Sequence, residues 1–342
     1  MISVFILSYN IPDKLLHAVA SLLAQPEVTE ILILDNASTQ PMQAALDQIA
    51  QQCNQAGVAC TLEVVAKGIS YSAGQNWGLE RAQNEFVLLM NNDAFIRDAQ
   101  ALGSSLKLLM RDDRNCIVGH KILRSDGSLD HCGMFFSQNR TDTEHFGRGQ
   151  NPGAMAYRIP LTHVAVTGAC MLVRRTHRRF DPHYWFECED VDFCLQHILD
   201  GQRVLCNPGC IVIHDEKTTR LPMEKSNSNW QERRLIGRKY FGEQWHKRRW
   251  RLRWLSSRDY LLECSHHHYQ FMHLVTNITA IATFLFFFLA SNRFDVSWTG
   301  ALGALLLGKV AAWVLLWLVK GLLPFFYLYK LRAIDKLEGW CR

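Results

Sequence analysis

The first hundred residues alternate between short runs typical of β-strands and stretches with helical periodicity. The strand-like runs are residues 2–7, 30–34, 60–65 and 86–90, and helical patterns lie between them. Such alternation predicts an α/β fold, a parallel-type sheet with helices on both faces. The run 86–90 is apolar without a break, as expected of a strand that is buried on both faces.

A polar cluster accompanies each of these strands. The clusters are Ser8-Tyr9-Asn10, Asp35-Asn36, the loop positions Gly74 to Asn76, and Asn92-Asp93. Because the carboxyl ends of parallel strands share one edge, we expect the clusters to converge on one crevice. A carboxylate with neighbouring amides there can hold a divalent cation against phosphate oxygens. Any single cluster is also ordinary turn chemistry, but the joint pattern predicts a nucleotide site.

The second half of the chain carries an acidic cluster and a histidine. Glu189, Asp190 and Asp192 open a predicted helix that ends near Gly201. Acidic side chains stabilise a helix N-terminus, so a capped first turn is one interpretation. Like charges also raise one another's pKa, and a carboxylate tuned in this way can act as a general base. A strand ends at His214, which is either structural or a further metal ligand. The polar, Gly-rich residues 142–157 predict an exposed or mobile loop.

Together these motifs resemble the family 2 glycosyltransferases of the GT-A fold, and more narrowly the bacterial rhamnosyl- and galactofuranosyl-transferases that build cell-surface polysaccharides. The resemblance covers about residues 1–215 and implies a Rossmann-like mixed sheet with helices on both faces. The matching segments are Ser8-Tyr9-Asn10, Asp35-Asn36-Ala37-Ser38, residues 70–78, Asn91-Asn92-Asp93, Gly168-Ala169-Cys170, residues 186–194 and His214.

The resemblance implies a role for each matched residue. Asp93 and His214 would coordinate Mg²⁺ or Mn²⁺, and Asp190, supported by Glu189 and Asp192, would deprotonate the acceptor hydroxyl. Asp35 would bind the nucleotide base. The full set implied to bind the nucleotide-sugar is Ser8, Tyr9, Asn10, Asp35, Asn36, Ser38, Gly74, Asn76, Asn92 and Asp93.

The implied reaction is an inverting transfer of a sugar, rhamnose from dTDP-rhamnose or galactofuranose from a UDP-sugar, to a hydroxyl of an acceptor. The alternative is a non-catalytic nucleotide-sugar-binding scaffold of a polysaccharide assembly complex. The chain departs from the family at three places. Residues 68–70 read Gly-Ile-Ser instead of Asn-x-Gly, the DxD motif is reduced to Asn-Asn-Asp, and Gln196 replaces a frequent Arg.

The charge distribution and the cysteine content limit the classes of partner and the cellular compartment that we expect. The net charge is +5, and the basic excess concentrates in residues 233–258, where Trp245, Trp250 and Trp254 interleave with Lys and Arg. This pattern predicts an interfacial membrane helix, with a basic helix packed on the catalytic domain as the alternative. No recognition module accompanies it, so nucleic acid is not an expected partner. The 11 cysteines have no framework spacing and are expected to be reduced thiols of a cytosolic domain.

The C-terminal third contains two long apolar stretches. Residues 272–290 carry no charge, and residues 298–319 are interrupted only by Lys309. Both are long enough to span a bilayer, and flanking Lys and Arg predict a hairpin with both ends in the cytoplasm. Association without crossing is the alternative, and these helices are also a candidate oligomer contact. We therefore predict a GT-A domain at 1–228, a membrane-interface segment at 229–268, two transmembrane helices at 269–330 and a cytoplasmic tail at 331–342. The protein would lie at the bacterial inner membrane with its catalytic domain facing the cytoplasm, acting on a polyprenyl-linked glycan.

Overall fold

The computed structural model describes residues 1–136, 143–184, 187–214 and 228–241, with single positions at 282, 303, 310 and 314. Contacts divide the chain into Met1–Asp259 and Tyr260–Arg342. Within the described ranges, no helix combines the length and the apolar character needed to cross a bilayer. Apart from the single positions, the predicted spans and the tryptophan-rich residues 245–258 lie outside these ranges.

The described residues form an α/β fold. The strands are β1 (Ile2–Ser8), β2 (Val28–Asp35), β3 (Ala59–Val64), β4 (Phe86–Asn91), β5 (Ala94–Ile96), β6 (Asn115–Leu123), β7 (Leu129–His131), β8 (Met134–Phe136), β9 (Thr143–His145), β10 (Leu161–Thr162), β11 (Cys170–Arg174) and β12 (Arg203–His214). The helices are α1 (Pro12–Leu23), α2 (Gln43–Ala56), α3 (Tyr71–Arg81), α4 (Leu102–Met110), α5 (Glu189–Leu199) and α6 (Ser228–Phe241).

One ten-stranded mixed sheet organises these elements. Eight strands follow the order β10-β12-β6-β11-β4-β1-β2-β3, while β5 pairs with β12 and β7 with β6. The first four strands pair in parallel, as their alternation with helices predicts. Strand β11 then enters antiparallel between β4 and β6. The predicted α/β fold with a mixed sheet is confirmed, and the parallel pattern of the first hundred residues ends at β4.

The two faces of β1 bury different helices. Val4 and Ile6 belong to an apolar core that also contains the buried residues of α1 and α2. On the other face α3 lies directly against the strand, because it presents glycines there. A Cβ added at Gly78 would come within 2.1 Å of the Phe5 ring. This close approach fixes where the N-terminus of α3, and with it Tyr71, reaches the edge of the sheet.

Residues 143–157 are not the exposed loop that their composition predicts. Residues 143–145 form β9, which pairs with β8. Phe146 and Tyr157 are fully buried, with ring centroids 5.1 Å apart. The glycines that suggested mobility serve tight turns, since Gly147 and Gly149 have φ of 87° and 74°. The burial of these two large aromatic side chains therefore holds the segment against the fold, although its composition is mostly polar.

Candidate active site

Three of the four predicted polar clusters meet at the carboxyl edge of the sheet. Parallel pairing places Ser8 opposite Asp35. The Asn92 amide Nδ2 donates to Ser8 Oγ at 3.3 Å and to the Tyr9 carbonyl at 3.2 Å. The ends of β1, β2 and β4 are thus joined, and they form one side of a crevice.

Asp35 is buried at the end of β2 with one oxygen engaged. Its Oδ1 accepts hydrogen bonds from the Ser38 backbone N–H, at 3.3 Å, and from the Ser38 hydroxyl. Ser38 Oγ in turn accepts from the Asn10 N–H at 2.7 Å. In the described part of the chain no bond reaches Oδ2 of Asp35. That oxygen is a ready acceptor for an N–H group of a nucleotide base.

The loops around these residues hold uncommon backbone conformations. Asn10, Ile11 and Ala37 have φ of 55°, 52° and 59°, in the left-handed region that non-glycine residues rarely occupy. Asn36 fixes its neighbourhood by bonding both backbone groups of Ile69, at 2.8 and 3.0 Å. Such conformations cost about 1–3 kcal/mol each and cluster at functional sites.

Asp93 and His214 form the second part of the site. Strand β5 begins directly after Asp93, and its Ala94 pairs with His214 at the end of β12. The pairing brings His214 Nε2 to 3.3 Å from Asp93 Oδ1, and both side chains are buried. Two residues 121 positions apart in the chain therefore become neighbours through one antiparallel pairing.

The Asp93–His214 pair borders a cavity of about 110 Å³, whose other lining residues are Lys14, His17, Phe95, Ser125 and Ile213. An oxygen donor and an imidazole suit Mn²⁺ and, for the carboxylate, Mg²⁺. Among the described residues, no group of three or more His, Cys, Asp and Glu side chains could hold a metal ion. A cation at this pair would therefore take its remaining ligands from phosphate oxygens and water.

Lys14 was not predicted as a site residue, because α1 was interpreted only through its apolar positions. Its partly buried side chain lines the cavity, and it makes no ion pair within the described ranges. His17 lies one turn further along α1 and stacks on Phe95 with ring centroids 4.0 Å apart. An ammonium group beside a carboxylate–imidazole pair can neutralise a phosphate.

Asp190, the predicted base, lies in the first turn of α5. Its Oδ2 accepts from the Gly168 N–H at 2.9 Å and its Oδ1 from the Val191 N–H at 2.7 Å. Burial raises the pKa of Asp190, while these two N–H groups oppose the rise. The carboxylate is oriented by backbone donors, and the residue as a whole is partly buried.

Glu189 is more deeply buried than Asp190. Burial first, and then the charge of Asp190, raise its pKa well above the ordinary value of 4.5. Among the described residues, no hydrogen-bond partner reaches its Oε2. The raised pKa favours the neutral form of Glu189, and its supporting role for Asp190 stays a prediction.

Asp192 has a different role from the one predicted. It is fully buried and contacts α6. It accepts from the Tyr240 hydroxyl at 2.7 Å and from Gln196 Nε2 at 2.7 Å, and Lys239 Nζ lies 2.8 Å away. Asp192 is therefore an anchor for α6 rather than a support for the base.

Helix α6 makes further contacts with residues that precede the acidic cluster in the chain. The Glu232 carboxylate accepts from the Glu187 N–H at 2.7 Å, and Lys239 also bonds Asp181 at 2.7 Å. Helix α6 therefore packs on the catalytic domain, while the rest of the basic segment, from residue 242, lies outside the described residues.

Gly74 and Asn76 were predicted to bind the nucleotide-sugar, but in the structure Gly74 is buried and the partly buried Asn76 is engaged by the backbone of another segment. Gly74 is buried in α3, where an added Cβ would lie 2.7 Å from the Leu7 side chain. The Asn76 amide bonds both backbone groups of Phe180, at 2.8 and 2.9 Å. In this structure Gly74 allows α3 to pack closely on β1, and Asn76 attaches the segment around Phe180 to α3.

Tyr71 lies between the end of β4 and the Gly168 segment that contacts Asp190. It was not among the predicted site residues. Its hydroxyl lies 2.9 Å from the Gly168 carbonyl and 3.3 Å from Asn91 Oδ1. No local pattern in the sequence marks Tyr71 as a site residue, because the segment around it is rich in small residues and is typical of a loop.

Comparison with known proteins places this geometry in a family. Residues 3–177 match the family described as Glycosyl transferase family 2. The chain belongs to glycosyl transferase family 2. The predicted enzyme class is thereby confirmed, and no curated protein matches the chain.

Solved glycosyltransferase structures share the fold at low identity. GalNAc-T7 with UDP, GalNAc and Mn²⁺ has a TM-score of 0.57 at 12% identity, over 72% of this chain and 50% of that one. The mannosyltransferase PcManGT from Pyrobaculum calidifontis, with GDP-Man and Mn²⁺, has a TM-score of 0.48 at 14% identity, over 97% and 79% of the two chains. The chain spans about half the length of GalNAc-T7. The first of these likenesses supports the predicted GT-A fold.

Proposed function

We propose that this family 2 protein transfers a sugar, with inversion, from a nucleoside-diphosphate donor to a hydroxyl of a glycan acceptor. The observation that carries the proposal is the placement of Asp190 and the Asp93–His214 pair around the end of one strand. Strands β4 and β11 are paired, and the Asn91 N–H donates to the Ala169 carbonyl at 3.0 Å. The proposed base and the proposed cation site would therefore flank the same crevice.

The donor side has a group for each part of a nucleotide. Asp35 Oδ2 would accept from the base, and Ser8 would line the ribose. Asp93 and His214 would hold Mg²⁺ or Mn²⁺ on the diphosphate, with Lys14 as an additional cation. GalNAc-T7 carries UDP and Mn²⁺, and PcManGT carries GDP-Man and Mn²⁺. Rhamnose or galactofuranose as the sugar rests on the resemblance of the sequence motifs.

The steps of the proposed transfer follow from the groups on the two sides of the crevice. Asp190 takes the proton of the acceptor hydroxyl as its oxygen attacks the anomeric carbon from the face opposite the diphosphate. The bond from that carbon to the diphosphate oxygen breaks, and its electron pair leaves with the diphosphate. A bound divalent cation would offset the negative charge of this leaving group. Lys14 would neutralise a further phosphate charge, and attack from the opposite face inverts the anomeric configuration.

The lipid-linked acceptor and the membrane location rest on the C-terminal sequence. The basic, tryptophan-rich residues 245–258 and the apolar residues 272–290 and 298–319 suit a protein bound to the cytoplasmic side of the bacterial inner membrane. A catalytic domain held there would reach a polyprenyl-linked glycan. The full-length protein should accordingly use a polyprenyl-diphosphate-linked glycan much better than the same glycan without its lipid, and equal use would contradict this part of the proposal.

The test of the transferase activity is a panel of nucleotide-sugars, with release of the nucleoside diphosphate as the readout. The full-length protein in detergent, with a lipid-linked glycan acceptor, should release it from one donor only when Mn²⁺ or Mg²⁺ is present. Asp93→Ala should reduce release about 100-fold, because it removes a ligand that would hold the metal beside the leaving group. Mn²⁺ binding, followed by electron paramagnetic resonance, should weaken in the same variant.

The matched control is Asp98→Ala. Asp98 is a surface carboxylate paired with Arg97, and about half of its side chain is exposed. It should behave as the unmodified protein. Release that resists EDTA and persists in Asp93→Ala would overturn the proposed metal-dependent transfer.

A further inference from the structure

The Tyr71 hydroxyl contacts a backbone carbonyl and a side chain of the site. It donates to the Gly168 carbonyl at 2.9 Å and lies 3.3 Å from the Asn91 side-chain amide. A hydroxyl has one proton, so the shorter contact takes it. The Asn91 amide can donate to the phenolic oxygen after rotation of its end group, since the two ends are nearly indistinguishable in shape. Tyr71 therefore joins the end of β4 to the start of β11.

Gly168 connects Tyr71 to the base. Its carbonyl accepts from Tyr71, and its N–H donates to Asp190 Oδ2 at 2.9 Å. These two groups belong to the peptide planes on either side of the Gly168 Cα. Glycine lets such planes rotate with little steric resistance. The bond to Tyr71 restricts this rotation and so restricts the direction of the N–H group.

The close approach of Tyr71 is possible only because residue 168 is glycine. A Cβ added at Gly168 would lie 2.8 Å from the Tyr71 hydroxyl oxygen and 3.5 Å from the nearest ring carbons. Only the oxygen is too close. The contact is therefore specific to the hydroxyl group, and the ring of a phenylalanine would leave room for that Cβ.

We propose that Tyr71 is a positioning residue of the sugar-transfer reaction: its hydroxyl holds Gly168 so that the Gly168 N–H orients the Asp190 carboxylate and favours its ionised form. The inference rests on the proposed role of Asp190 as the base. It adds a residue that touches neither of the reacting groups and acts on one of them through a single glycine.

The surroundings of Asp190 set the direction of the effect. The titratable groups that act on it, or on its neighbour Glu189, include Glu187, Glu189 and Cys194 near or on α5, Tyr71 from α3 and Glu232 from α6. Apart from the thiol and the phenol, all are carboxylates, so hydrogen-bond donation is the main influence that favours the ionised form. Burial and the nearby negative charges raise the pKa of Tyr71 well above 10, which keeps its hydroxyl protonated and able to donate.

The test compares the full-length protein with Tyr71→Phe, which removes the oxygen alone. We expect kcat to fall about 5- to 10-fold, the size of one lost hydrogen bond, with the donor KM unchanged. The acidic limb of the pH profile of kcat should move upward by about half to one unit, because a loosened N–H raises the pKa of Asp190. The control is Tyr157→Phe, a change at another buried tyrosine, which should move neither quantity.

A second readout does not depend on transfer. The carboxyl band that Asp190→Asn abolishes can be titrated by infrared difference spectroscopy, and its midpoint should rise in Tyr71→Phe. Gly168→Ala should give the same rise, because its Cβ displaces the hydroxyl, and adding Tyr71→Phe to it should cause no further rise. Unchanged midpoints and pH profiles, with a loss of thermal stability alone, would overturn the positioning role. A shifted midpoint in a protein that transfers no sugar would instead reject the proposed function and leave the coupling intact.

Discussion

The two sides of the crevice hold their carboxylates in different ways. On the donor side, Asp93 lies 3.3 Å from the His214 imidazole and Asp35 accepts from Ser38. On the acceptor side, Glu189 and Asp190 are adjacent, and burial raises the pKa of both. On the proposed donor side, fixed partners therefore hold the carboxylates in place, whereas on the proposed acceptor side burial favours the protonated form of both carboxylates. Asp192, on the same helix as Asp190, is satisfied by Lys239 and Tyr240 and belongs to neither class.

The largest expected effect comes from removing the proposed base. Asp190→Asn should lower kcat about 1,000-fold, within the range of general-base contributions, because the amide cannot take a proton. Binding of UDP with Mn²⁺, measured by calorimetry, should stay within about twofold, since the donor side is unchanged. The control is Asp200→Asn at the other end of α5, where the carboxylate forms a surface ion pair with Arg178. Turnover within tenfold of the unmodified protein would contradict the division between the two sides.

The variant Lys239→Met tests whether Asp192 anchors α6, separately from the role proposed for Asp190. Asp192 is fully buried and would lose its only nearby cation within the described ranges, which should cost about 2 kcal/mol of unfolding free energy. This is less than for a fully buried pair, because about a third of the Lys239 side chain is exposed. Chemical denaturation measures it, with the exposed Lys107→Met as the control.

The double variant Lys239→Met with Asp192→Asn sharpens this test. It removes the buried charge together with its partner, so it should recover most of the lost stability. If both variants are as stable as the unmodified protein, α6 is not held through Asp192.

The smallest effect concerns the pH dependence of stability. Because the folded-state pKa of Glu189 is raised, the folded protein binds a proton there that the unfolded chain releases. Stability from this group is present below about pH 4.5, the unfolded value, and decreases as the pH rises toward the folded pKa. Glu189→Gln should remove this slope and stabilise the protein at pH 8 by about 1 kcal/mol. Thermal unfolding at pH 5 and pH 8 measures the difference, and an unchanged slope would show that Glu189 is ionised.

Local pattern was sufficient for much of the fold and for the positions of several polar residues at the sheet edge. Apolar runs such as 86–90 specify buried strands, and a polar residue at the end of such a run must lie at the sheet edge. Ser8, Asp35 and Asp93 were therefore placed correctly before any contact was known. The same logic failed for Gly74 and Asn76, because a loop motif does not say which of its residues face Leu7 and Phe180.

The sequence by itself determined the α/β class, the strand ends and the residue types that gather there, because these depend on periodicity and on the chain direction within a parallel sheet. Only the tertiary structure decided which carboxylate serves which purpose. Asp190 and Asp192 are two residues apart and chemically identical, and what separates them is the neighbour that each meets. Asp190 meets the Gly168 N–H, which Tyr71 holds from another helix, and Asp192 meets Lys239 of α6. Burial and hydrogen-bond partners come from segments distant in the chain, so no local pattern encodes them.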